Sequence, residues 1–112
     1  MCTKSQLEAI EEEMVNYYRS VYGDSIDIII LYGSYARRDY SDDSDIDITA
    51  IVRGNRVELQ KKLKKMWDFS TEVGLAYDVI VSPTVIPYDE FEQYKENLSY
   101  YRNIVKEGRK IG

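Results

Sequence analysis

Residues 26–52 read IDIIILYGSYARRDYSDDSDIDITAIV, and this stretch decides the fold. Ile26 to Tyr32 is an almost continuous β-branched run, short and closed by a glycine, which favours a buried central strand over a helix. Gly33-Ser34 ends that strand. Tyr35 to Ser44 is polar and holds a short helical turn and a loop. Asp45 to Val52 reads as a second strand. Residues i and i+2 of a strand share a face, so Asp45 and Asp47 project together while Ile46 and Ile48 turn toward a core. Asp is depleted in strands. Two like charges about 4 Å apart repel by roughly 4 kcal/mol at an effective dielectric of 20. Such a pair needs strong solvation or a cation, and hard oxygen ligands on one face suit Mg²⁺.

A strand that ends in Gly-Ser and turns into a helix exposes backbone N–H groups, which with the Ser34 hydroxyl form a small anion site. Gly33 lets the backbone approach a ligand closely. For this corner and the carboxylates to touch one ligand, the two strands must be antiparallel neighbours. Phosphate beside a divalent metal outlines a nucleoside triphosphate site. Ala76 to Ser82 (AYDVIVS) reads as a third strand, ended by Pro83, with Asp78 inside it. A lone acid in an apolar strand needs a partner. Beside Asp45 and Asp47 it would give three carboxylates around one or two ions, the two-metal arrangement of phosphoryl transfer.

Around this centre the pattern is helical. Ser5-Gln6-Leu7-Glu8 fits a capping box, and Leu7, Ile10, Met14, Tyr17 and Val21 follow at helical spacing until Gly23-Asp24. Val57 to about Val73 is a second long helix, with Leu59, Leu63, Met66, Trp67 and Phe69 on its apolar side and Lys61, Lys62, Lys64 and Lys65 opposite. Two shorter helices are expected at Tyr88–Lys95 and Leu98–Glu107, with Gly108 as C-cap. Strands alternating with helices give a single α+β domain over residues 1–112, a layered structure with one small mixed β-sheet packed on helices.

Composition excludes several chemistries. The chain has 112 residues, no histidine, one cysteine and a net charge of −5. Histidine-based triads, histidine-ligated zinc and thiolate zinc clusters are out. Cys2 reads as an incidental thiol. The acidic balance argues against an extended nucleic-acid surface. No apolar run approaches the roughly 20 residues that span a bilayer, so a cytoplasmic protein is expected. Counted from Asp43, the Gly and Glu of an EF-hand are replaced by Ile48 and Gly54. Neither a P-loop nor a dinucleotide-binding glycine fingerprint is present.

The run GSYARRDYSDDSDIDI resembles the signature of the DNA polymerase β-like nucleotidyltransferases, and in particular the minimal nucleotidyltransferases: Gly-Ser, ten residues, Asp-x-Asp. The tail SYYRNIVKEGRKIG is similar to the usual end of that family. The resemblance implies that Gly33, Ser34 and Arg37 bind the nucleotide, that Asp45 and Asp47 ligate two Mg²⁺ ions, and that Asp78 ligates the catalytic ion and helps deprotonate the acceptor. It implies transfer of AMP from ATP, or of another nucleotide, to a hydroxyl. Small proteins of this kind commonly pair with a HEPN-domain toxin and act as antitoxins by modifying a toxin tyrosine. Arg38 departs from the pattern, which often has Gly there; at a positive φ it costs roughly 1 kcal/mol or more. Arg37 and Arg38 also read as an exposed basic pair balancing Asp39, Asp42 and Asp43. Two other functions stay open: a non-catalytic antitoxin that covers its partner, and nucleotidyl transfer to a small molecule. The open side of so small a site calls for a protein partner or for self-association.

Overall fold

Helix α1 (Lys4–Tyr22) is set by a capping box at Thr3 rather than at Ser5. The Gln6 N–H donates to the Thr3 hydroxyl at 3.1 Å, and the Thr3 N–H donates to the Gln6 side chain at 2.9 Å. Ser5-x-x-Glu8 and Thr3-x-x-Gln6 both fit the pattern. The earlier start wins because it adds helical backbone pairs, beginning with the Leu7 N–H on the Thr3 carbonyl, and still caps the end. The structure, a computed structural model, describes residues 3–37 and 45–112, and of Ser34 only the backbone.

After a short 3₁₀ turn the chain runs through β1 (Ile26–Tyr32), α2 (Ser34–Arg37), β2 (Ile46–Val52), α3 (Arg56–Tyr77), β3 (Val81–Pro87), α4 (Tyr88–Tyr94), α5 (Ser99–Glu107) and β4 (Arg109–Lys110). The strands form one mixed sheet in the order β3-β2-β1-β4. β1 and β2 are antiparallel, with Tyr32 opposite Asp47, as the site required. β2 and β3 are parallel, with Asp47 opposite Ser82.

One face of the sheet packs on α1 and α3. Ile29 and Leu31 of β1, Ile46 and Ile48 of β2, and Val81 and Val85 of β3 meet Ile10, Met14 and Tyr18 of α1 and Leu59, Leu63 and Met66 of α3. The buried Tyr18 hydroxyl lies 3.0 Å from the Ile48 carbonyl and 2.8 Å from that of Thr84, satisfying the one polar atom it carries into this core. The alternate residues face the other way. There Ile30, Ile51 and Ile86 meet Phe91 of α4 and Tyr101 and Ile104 of α5.

Two expectations are corrected. The third strand is Val81–Pro87, not 76–82, because α3 runs on to Tyr77. Pro83 lies within β3 instead of stopping it. β3 is an edge strand, where a missing N–H costs no ladder bond. Trp67, expected in the core, is 45% exposed, because Leu59, Leu63, Met66, Ser70, Val73 and Gly74 fill the buried side of α3. β4 was not foreseen. Two residues leave no pattern, yet Arg109 ties this segment to the buried Glu11 at 2.6 Å. Among the described residues no helix is long and apolar enough to cross a membrane.

Candidate active site

The site grows from the end of β1. Gly33 has φ +78, a conformation that lets the strand break into α2 at once. The N–H groups of Ala36 and Arg37 both donate to the Gly33 carbonyl at 3.1 Å and close the turn. A side chain at Gly33 meets a second obstacle. A Cβ there would lie 2.7 Å from Oδ2 of Asp47. The backbone corner and the Asp47 carboxylate therefore pack directly against each other. A cradle this close suits a ligand that needs both backbone donors and carboxylate oxygens.

Asp47 is half-buried in β2, and Asp45 stands exposed just before that strand. Burial first, and the charge of Asp45 second, raise the Asp47 carboxyl above its ordinary value. An acid pushed up in this way carries uncompensated electrostatic cost, which a bound cation would relieve. Beside it on the same face stands Tyr32. Its hydroxyl is held well above the ordinary phenol value, chiefly by burial and then by a 2.8 Å hydrogen bond with the Tyr100 hydroxyl of α5. Sequence reasoning missed Tyr32 and Tyr100. Period-two alternation combined with an antiparallel register would have put Tyr32 on the face of Asp47.

Asp78 is corrected. It does not sit within a strand, since β3 begins at Val81. It is the exposed residue that ends α3, in a left-handed conformation (φ 56, ψ 49), with its N–H on the Gly74 carbonyl. Asp tolerates this conformation better than most residues, because its short side chain can bond locally. Among the described residues, no three acidic or thiol side chains are close enough to share a metal ion. The positions that face the site from β3 are Ser82 and Thr84, which carry hydroxyls and no charge. The oxygen donors of Asp45 and Asp47 thus fit a divalent cation as a two-carboxylate set, to be completed by water and phosphate oxygens.

Arg37, at the end of α2, reaches Glu107 of α5 at 3.2 Å with both side chains partly exposed. The side chain of Ser34 lies outside the described residues, as do Cys2, Arg38, Asp39, Asp42 and Asp43.

Residues 10–111 match the family described as nucleotidyltransferase domain. The chain belongs to that family. It is 38% identical over 98 residues, 88% of this chain and 90% of the other, to the Methanocaldococcus jannaschii protein named "Putative protein adenylyltransferase MJ0604". A second protein of that organism with the same designation is 31% identical over 97 residues, 79% of this chain and 96% of the other. The fold is shared with a chain of a toxin–antitoxin crystal structure with AMP-PNP, at a TM-score of 0.53 and 17% identity over 90% of this chain and 72% of that one. It is also shared with a chain of the complex of tri-AMPylated Shewanella oneidensis HEPN toxin with MNT antitoxin, at a TM-score of 0.52 and 16% identity, over 94% of this chain and 71% of that one. In the nucleotidyltransferase, the described residues thus place Gly33 against Asp47 and put Asp78 at the end of α3.

Proposed function

We propose that this nucleotidyltransferase transfers AMP from ATP to a tyrosine hydroxyl of a HEPN-domain partner in the cytoplasm, and so acts as that toxin's antitoxin. The observation that supports it best is the direct packing of Gly33 on Asp47, which brings an anion-binding corner and a carboxylate into one ligand's reach. The relatives named as protein adenylyltransferases, and the toxin–antitoxin structures that share the fold, point to the same chemistry.

In this reading the backbone of Gly33 and Ser34 cradles the β- and γ-phosphates. Arg37 reaches the same phosphates once its side chain leaves Glu107. Asp45 and Asp47 would hold Mg²⁺, two ions when the nucleotide is in place, and the metal would supply charge neutralisation for the pyrophosphate and a lowered pKa for the attacking hydroxyl. The end of β2 that carries Asp45 and Asp47 is the polar, partly exposed end of the sheet, where a hydroxyl from outside could approach. Tyr32 remains a neutral phenol there and lines the floor.

The position of Asp78 favours one second reading, in which the protein neutralises its partner by binding alone. Co-expression with the HEPN-domain partner separates the two. The expected result is AMP on a partner tyrosine, lost in Asp45→Asn and Asp47→Asn while the complex still forms; a charge-stabilising group of this kind is worth about 10²–10³ in rate. Full neutralisation by both variants without AMP transfer would establish binding alone.

A further inference from the structure

Tyr100 is one of 11 tyrosines in the chain, and four of the described ones contrast with it in position. Tyr18 and Tyr22 are buried, with hydroxyls bonded to backbone carbonyls. Tyr17 is stacked on Phe69 between α1 and α3, on the far side of the sheet. Tyr101 is buried in the second apolar cluster. Tyr100 is 46% exposed, yet its hydroxyl lies 2.8 Å from that of Tyr32, the residue directly opposite Asp47. The two rings meet edge to face at 5.9 Å, and the hydroxyl contact turns the phenol end of Tyr100 toward Tyr32. At the other end of α5, Glu107 is held by Arg37 of the phosphate corner. The helix thus lies along the rim of the site and is fixed to it at both ends.

We propose that Tyr100 is an acceptor for the nucleotidyltransferase's own nucleotide, so that the chain modifies itself in cis. The inference rests on the transfer activity proposed above. The Tyr100 Oη attacks the α-phosphorus of ATP. The new Oη–P bond forms, the bond from the α-phosphorus to the bridging oxygen breaks, pyrophosphate departs, and the phenol proton goes to bulk water. The product is AMP in phosphodiester linkage to Tyr100. It carries one added negative charge and cannot keep the Tyr32–Tyr100 hydrogen bond in its present form. Half-exposure leaves the hydroxyl room to swing toward a nucleotide over Asp47, which a buried tyrosine lacks.

The purified chain is incubated with Mg²⁺ and ATP labelled at the α-phosphate, then analysed by intact mass and peptide mapping. The expected result is one AMP per chain, mapped to Tyr100, absent in Tyr100→Phe and absent with ATP labelled only at the γ-phosphate. The rate per chain should not change with protein concentration. Melting curves with and without Mg²⁺ and ATP are run in parallel on both proteins. A rise in melting temperature without label at Tyr100 overturns self-modification and leaves the nucleotide site standing. Label on another residue, undiminished label in Tyr100→Phe, or a rate proportional to protein concentration also overturns it. No thermal shift and no label would remove the nucleotide site itself, and this inference with it.

Discussion

The two faces of the sheet are made by alternate residues of the same three strands, and they are used in opposite ways. The face toward α1 and α3 is apolar along its whole length, from Val52 to Ile46 in β2. The opposite face changes character half-way. Ile51, Ile30 and Ile86 are packed under α4 and α5, and then Asp47, Tyr32 and Ser82 follow at the open end. Stability is thus concentrated on one side of a single layer. The other side keeps just enough apolar cover to dock α5 and leaves its polar end for chemistry.

Leu31→Ala against Ser82→Ala is the sharpest test of that division. Leu31 is fully buried, and its truncation should cost about 3 kcal/mol, read as a lower midpoint in urea. Ser82→Ala should stay within about 0.5 kcal/mol. Equal losses would break the contrast between the faces.

Alkali tests the packed side. The Tyr22 hydroxyl donates to the Leu59 carbonyl at 2.8 Å, and burial pushes it up from 10.0 to about 12. Between those values the unfolded chain gives up this proton while the folded chain keeps it. Stability from this residue is therefore complete below pH 10 and declines as pH rises toward 12, by about 3 kcal/mol. Denaturation at a series of pH values should show the decline, and Tyr22→Phe should flatten part of it. The buried Tyr18, also raised by burial, adds to the fall in the wild type and in the variant alike.

Gly33→Ala probes where the faces meet the corner. A left-handed alanine costs about 1–2 kcal/mol, and its methyl group would displace the Asp47 carboxylate. Nucleotide transfer should fall by more than this loss of stability explains. A variant that loses stability and keeps full transfer would separate the corner from the carboxylate.

The smallest effect belongs to Asp78→Gly. Glycine accepts the left-handed conformation freely, so stability should rise by about 0.5 kcal/mol, with transfer kept within a few-fold. Collapse of transfer would return Asp78 to the metal site.

β1 and β2 were legible because unbroken β-branched runs between glycines leave few alternatives, and the spacing from Gly33 to Asp47 carried the corner with them. The end of α3 was not legible. Ala-Tyr-Asp-Val-Ile-Val alternates like a strand, and nothing local shows that Gly74 lets the chain fold back. A Cβ there would lie 2.5 Å from the Val79 carbonyl oxygen, so the return depends on a residue four positions before Asp78. The third acid was placed by a local pattern, whereas its position is decided by that close contact. The Tyr32–Tyr100 link was invisible for a similar reason, since it joins residues 68 positions apart.

Pro83 and Pro87 have a consequence for assembly. Both lie in β3, one of the two outer strands of the sheet, and they share the alternation of Val81 and Val85. With the proline nitrogens turned outward, half of the donors along that border are missing. Another polypeptide cannot extend the sheet there by zipping on a new strand. Whatever docks on this border must do so through side chains and helices, and stacking of copies through the β3 edge is blocked by the same two rings.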